Sequence, residues 1–171
     1  NGVADYNDLM DAAENEVFNY SFLEGTESLG AYRLEGYLFP DTYEFYVGMQ
    51  ASSAINKMLD NFNRKITEDM QARLDELGMS LGEIVNAASL IEKEAANDSE
   101  RSVIASVIYN RLNYDTPLGI DAAVLYPYPE HEGAPTAEML AKDDPYNTRI
   151  KLGLPPTPIS NPGIASINAA L

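Results

Sequence analysis

The stretch that decides the architecture is SLGEIVNAASLIEKEA, residues Ser80 to Ala95. Wound as a helix from Leu81, it gathers Ile84, Val85, Ala88, Ile91 and Ala95 into one apolar stripe. Glu92 falls at about 20° from Leu81, inside that stripe, whereas Glu83 and Glu94 point away at about 200° and 220°. Ser80 and Glu83 form the S-x-x-E pattern of a capping box, which fixes where the helix starts. A carboxyl group on the core side of a helix is costly unless it is paired, hydrogen-bonded or protonated. Glu92 is therefore the residue that most needs a reason.

Helical spacing continues on both sides. Residues 5–24 place Leu9, Ala12, Ala13, Val17 and Tyr20 near one face, and Gly25 to Gly30 break the pattern. Ala51 to Asp75 carry Ile55, Met58, Leu59, Phe62 and Ile66 at helix spacing, closed by Gly78. After Asn97, Asp98 and Ser99, a helix over 99–112 is predicted to bury Val103, Ile104, Val107 and Ile108 and to turn Ala105 and Ser106 outward. The Tyr- and Phe-rich run 31–47, punctuated by Gly36 and Pro40, reads as short strands or extended chain. Residues 113–171 hold nine of the ten prolines, so loops and short strands are expected there, with one helix at Thr136 to Lys142. Helices early and irregular chain late predict an α+β domain, with short strands and long Pro/Gly-rich loops around a cleft.

Composition removes several functions. A net charge of −16 argues against nucleic-acid binding and against docking on an anionic membrane, while neutral polymers such as sugars remain permitted. Cysteine is absent, which removes disulfides, thiol nucleophiles and thiolate metal sites. The one histidine, His131, lies in a loop without a second histidine at zinc-helix spacing, so no metal is assigned and no cofactor is required. No run of apolar residues is long enough to span a bilayer. Residues 1–20 carry five acids and no Lys or Arg, unlike a secretory signal, and the chain opens at Asn1 as an excised piece or processed product would.

Glu92 against Ile and Val has the setting of a general acid, because burial disfavours the anion. The plain structural alternative is an ion pair with Arg101 or Arg111. Arg101, in Ser99-Glu100-Arg101, reads either as part of a charged cap or as a residue that orients Glu92. Asp121 sits in a turn-rich stretch and reads as an Asx-turn or a substrate-orienting acid. Tyr146, Asn147 and Thr148 offer a phenol, an amide and a hydroxyl in a row, suited to gripping sugar hydroxyls and N-acetyl groups or to forming a polar turn. Gly153-Leu154-Pro155-Pro156, running to Asn161-Pro162-Gly163, is a stiff extended loop that could wall a cleft.

Six ordered segments carry a family resemblance. They are EGYLFPDTY at 35–43; ASLIEKE at 88–94; SER at 99–101 with VIYNRL at 107–112; LGID at 118–121 with VLY at 124–126; YNT at 146–148; and GLPP at 153–156 with PI at 158–159 and NPG at 161–163. Together they resemble the endolytic murein transglycosylases of the MltG (YceG-like) family. The resemblance implies a domain that cuts peptidoglycan glycan strands internally, at the extracytoplasmic face of the cell membrane. It maps the family's catalytic glutamate to Glu92. Cleavage of the β-1,4 bond between N-acetylmuramic acid and N-acetylglucosamine would leave 1,6-anhydro-muramyl ends, with Glu92 acting first as acid and then as base.

The resemblance also implies an N-terminal membrane helix followed by a LysM-like subdomain, of which residues 1–33 would be the end and after which 34–171 would be a C-terminally truncated catalytic domain. Implied partners are glycan strands and proteins of cell-wall synthesis or division. Gly119 stands where the family usually has Gln, and Arg149 where an aromatic is common. Those departures keep open a rival reading, a non-catalytic peptidoglycan-binding or scaffolding module, since a fold can outlast its chemistry.

Overall fold

The computed structural model describes Gly2 and residues 4–171. Its helices are α1 (Tyr6–Asn15), α2 (Ala51–Lys65), α3 (Glu68–Leu77), α4 (Leu81–Glu94), α5 (Arg101–Asn113), α6 (Asp121–Leu125), α7 (Ala137–Ala141) and α8 (Ile164–Ala170). Short 3-10 turns lie at Ser21–Leu23, Glu27–Leu34 and Asp98–Glu100. No strand occurs among the described residues, which corrects the α+β expectation: the domain is helical, joined by long irregular connections.

Local chemistry sets the helix ends. Asp5 caps α1, and Thr67 caps α3 by accepting from the Met70 N–H. The helical run from Ala51 is therefore two helices, broken at Ile66 and Thr67, and Gly78 ends the second in the left-handed conformation. The Ser80 hydroxyl and the Glu83 carboxylate cap α4 reciprocally, as the sequence pattern predicts. Helix α1 stops at Asn15, well short of residue 24.

Eight consecutive residues of α4, Ile84 through Ile91, are buried, so this helix is sheathed on every side and not along one stripe. Helices α5, α6 and α8 pack against it. The α5 contact departs from the predicted face at three positions, while Ile108 is buried, Ile104 half-buried and Ser106 exposed as expected. Ala105 and Ile108 are buried, while Val103 is 65% exposed and Val107 44%. The small Ala105 side chain suits a close approach to the α4–α8 pair better than the branched valines do.

Residues 31–34 of the aromatic run close a 3-10 element and 35–37 form a turn, and the rest is irregular chain paired with no strand among the described residues. Tyr37 and Phe22 stack at 5.1 Å, and both meet Phe62 of α2 edge-on. The N–H groups of Gly36 and Leu38, two residues apart as on a strand edge, both donate to the Asn161 side-chain carbonyl at 2.9 and 3.0 Å. A single amide thus replaces the missing ladder.

Gly36 has φ +92°, and a Cβ there would lie 2.6 Å from Val85 Cγ1 and 2.7 Å from Pro158 Cγ. Gly36→Ala is expected to cost about 2–4 kcal/mol, combining left-handed strain with overpacking. Urea unfolding midpoints test this, and a loss of about 0.5 kcal/mol or less would rule out the close approach.

Candidate functional site

The last turn of α4 sends three consecutive charged side chains in three directions. Glu92 turns to α5 and α8. Its Oε2 accepts from the Ser166 hydroxyl at 2.6 Å, the Gly163 N–H at 3.1 Å and the Arg101 guanidinium at 3.3 Å. Arg101 also donates to Ser166 Oγ and, through Nε, to Asp98 at 3.0 Å. Oε1 of Glu92 has no hydrogen-bond partner among the described residues, and the side chain is 30% exposed. One carboxyl oxygen is anchored and the other is free.

The anchor depends on the proline-rich loop. Asn86 Nδ2 donates to the Pro155 carbonyl at 2.7 Å. Ser89 accepts from the Ile159 N–H at 3.0 Å, and its carbonyl accepts from the Ser160 hydroxyl at 3.1 Å. Glu92 then accepts from Gly163. Residues 86, 89 and 92 thus stitch residues 155–163 along α4, one polar side chain every three residues.

Lys93 lies on the side of Glu35, whose carboxyl is pushed up by burial and pulled back by the Tyr126 hydroxyl and the Lys93 charge. Tyr126 donates to Glu35 at 3.0 Å, and its ring lies 4.9 Å from that of Tyr146. Burial and the Tyr126–Glu35 contact both raise the Tyr126 phenol. Glu94 faces Asp121, and burial followed by that neighbouring charge raises the Glu94 carboxyl.

Among the residues the sequence groups with Glu92, only Arg101 shares a hydrogen bond with it. Asp121 pairs with Arg149 at 2.6 Å. The Tyr146 hydroxyl bonds Thr157 at 2.7 Å. Asn147 is buried, with Nδ2 donating to the carbonyls of Met139, Leu140 and Lys142 and Oδ1 accepting from the Arg149 N–H. Thr148 is buried too, and its hydroxyl bonds both backbone groups of Ile120. These last two side chains spend their polar atoms on holding loops. Gly119 has φ +66°, and a Cβ there would stand 3.1 Å from an Arg111 guanidinium nitrogen.

Ser166 lies outside every segment quoted from the sequence, and Gly163, Glu35 and Tyr126 lie in quoted segments without having been assigned a site role. Gly163 and Ser166 lie 71 and 74 positions from Glu92, beyond the reach of any local pattern.

The model of the YceG-like family matches residues 3–171. The chain belongs to the YceG-like family. A Bacillus subtilis relative named endolytic murein transglycosylase is 37% identical over 164 residues, covering 96% of this chain and 43% of its own length. A Streptococcus pneumoniae relative of the same name is 35% identical over 150 residues, covering 85% of this chain and 27% of its own. The chain therefore spans less than half the length of these family members. A crystal structure of a YceG-like protein from Listeria monocytogenes superposes with a TM-score of 0.82 at 34% identity, covering 98% of this chain and 58% of that one.

The raised Glu35 carboxyl has a consequence for stability. Glu35 titrates near its ordinary 4.5 when unfolded and holds its proton to higher pH in the fold. The folded state binds more protons in that window, so this contribution is complete below the unfolded value and is lost as pH rises through the folded one. Glu35→Gln removes that slope. Relative to the parent, the variant is expected to gain stability from pH 4.5 toward neutral. Denaturant midpoints at acidic, mildly acidic and neutral pH check it, and a parent–variant difference that stays constant would refute it.

Proposed function

We propose that this chain is the catalytic part of an endolytic lytic transglycosylase of peptidoglycan. It acts on the β-1,4 bond between N-acetylmuramic acid and N-acetylglucosamine. Family membership supports the reaction class. The observation that carries the mechanism is the asymmetry of Glu92, with Oε2 held by three donors and Oε1 free.

The donors leave Oε1 as the seat for the acidic proton. Glu92 Oε1 gives this proton to the glycosidic oxygen as the bond from C1 of the muramyl residue to that oxygen breaks. An oxocarbenium-like centre forms at C1. The carboxylate then takes the proton of the muramyl C6 hydroxyl, and O6 closes on C1 as the 1,6-anhydro ring. Glu92 ends as it began. One acid serves because the two proton transfers occur in sequence, and no water is consumed, so the second carboxylate of a hydrolase is not required. Arg101 and Ser166 are positioning residues: both fix Oε2, and Arg101 supplies positive charge beside the anion formed midway.

Residues 34–171 would be the catalytic domain and 1–33 the end of a LysM-like subdomain, in a protein working at the extracytoplasmic face of the membrane. The close packing of α1 on residues 27–34 and on α2 is compatible with a joint of this kind.

Glu92→Gln is expected to lower release of anhydro-muramyl ends from purified murein by about a hundredfold or more, in a protein that still folds. Arg101→Ala should lower kcat by about tenfold to a hundredfold, with KM nearly constant. Chromatography of the products tests both. Reducing ends in place of anhydro ends would mean hydrolysis, and full activity in Glu92→Gln would place the acid elsewhere.

A further inference from the structure

A second concave site lies beside the first half of α4, and Glu92 takes no part in its wall. It is a cavity of ≈ 620 Å³ whose wall includes Tyr32, Glu35, Tyr37, Gly82, Asn86 and Pro155. Asn86 lies six positions before Glu92, about 120° away around the helix axis by the shorter way, and Glu92 is not part of the cavity wall.

Two polar groups of this wall lack partners. Asn86 is 7% exposed, and its Oδ1 is fully covered without a hydrogen bond, alone in this among the described side chains. Its orientation is not arbitrary: Nδ2 must face the Pro155 carbonyl to which it donates. Tyr37 is 5% exposed, and its hydroxyl makes no hydrogen bond among the described residues and is not fully covered, in the wall of the cavity. A Cβ at Gly82 would lie 3.3 Å from that hydroxyl, so the absence of a side chain there keeps it clear. A covered acceptor left without a donor, as at Asn86, is costly.

An unpaired acceptor and an unpaired hydroxyl in one wall match a secondary amide, whose N–H would donate to Asn86 Oδ1 and whose carbonyl would accept from Tyr37. Oδ1 is fully covered in the unliganded chain, so contact with a ligand requires the soft χ2 of Asn to turn it toward the cavity. Pro155 and its neighbours Leu154 and Pro156 supply an apolar seat for a methyl group. Tyr32, 60% exposed at the rim, offers a ring face, and Glu35 offers an acceptor for hydroxyls. Only one amide's worth of unpaired groups is present, which favours an acetamido sugar over a peptide. Arg33 also lines the wall but donates to the Ala13 and Glu16 carbonyls, so the net charge of −16, with Glu35 and Glu83 in the wall, disfavours ligands that carry carboxylates.

We propose that this cavity binds a neutral N-acetylated sugar of the glycan strand, as an accessory subsite outside the cleavage centre. The proposal rests on the glycan reading above. Amide chemical shifts of the labelled chain are followed during titration with tri-N-acetylchitotriose, with cellotriose, which carries hydroxyls in place of acetamido groups, and with a short neutral peptide. The expected result is saturable shifts at Gly82, Asn86 and Thr157 with the acetylated sugar alone. Asn86→Leu and Tyr37→Phe should each weaken that binding by about tenfold. The Tyr37 change removes a hydroxyl with no protein partner, so it preserves the fold if the first variant does not. Equal response to cellotriose, response to the peptide instead, shifts confined to Gly163 and Ser166, or unchanged affinity in Tyr37→Phe would each overturn it. Murein digestion by the same preparation reports on Glu92 separately: cleavage without cavity binding sinks the subsite alone, and binding without cleavage sinks the lyase alone.

Discussion

Everything in this molecule hangs on how a largely buried helix satisfies its polar side chains. Helix α4 is enclosed over eight consecutive residues, yet it carries Asn86 and Ser89 within that span and Glu92 at its edge. Buried polar groups must be hydrogen-bonded. The partners are backbone atoms of residues 155–163. Pro155, Pro156 and Pro158 have no N–H to offer a sheet, so the loop could not have been held by strand pairing. The helix's need for partners and the loop's inability to form a ladder resolve each other.

Glu92 ends this series at the surface, where enclosure gives way to solvent. Its setting is therefore mixed. Arg101, Ser166 and the Gly163 N–H act on one oxygen from the protein side, and the other oxygen is left toward solvent. Lys93 and Glu94 diverge toward Glu35 and Asp121, so the neighbouring charges on the same turn act on other clusters.

What could be read from the sequence was local. The Ser80–Glu83 cap and the inward direction of Glu92 both follow from spacing within a few residues. The apolar environment expected for Glu92 did not materialise, because Gly163 and Ser166 arrive from the far end of the chain. The strands expected over 31–47 failed for a related reason. Tyr37 and Phe39 alternate as a strand would, but the N–H groups beside them find the Asn161 amide in place of another backbone. Helix α5 misled because valine outranks alanine in hydrophobicity, whereas the contact with α4 and α8 rewards the smaller side chain at Ala105. Asn147 and Thr148 offer useful donors and acceptors on paper, and only tertiary structure reveals that loop closure consumes them.

The spacing of the loop's attachment points carries a constraint of its own. Residues 155, 159 and 163 are pinned to residues 86, 89 and 92, so the number of residues between pins is fixed by the pitch of the helix they ride on. Adding or deleting one residue between Ser160 and Gly163 would leave the first two pins seated and carry the third past the carboxylate. This irregular segment tolerates changes of length no better than a coiled coil tolerates a slip of its heptads.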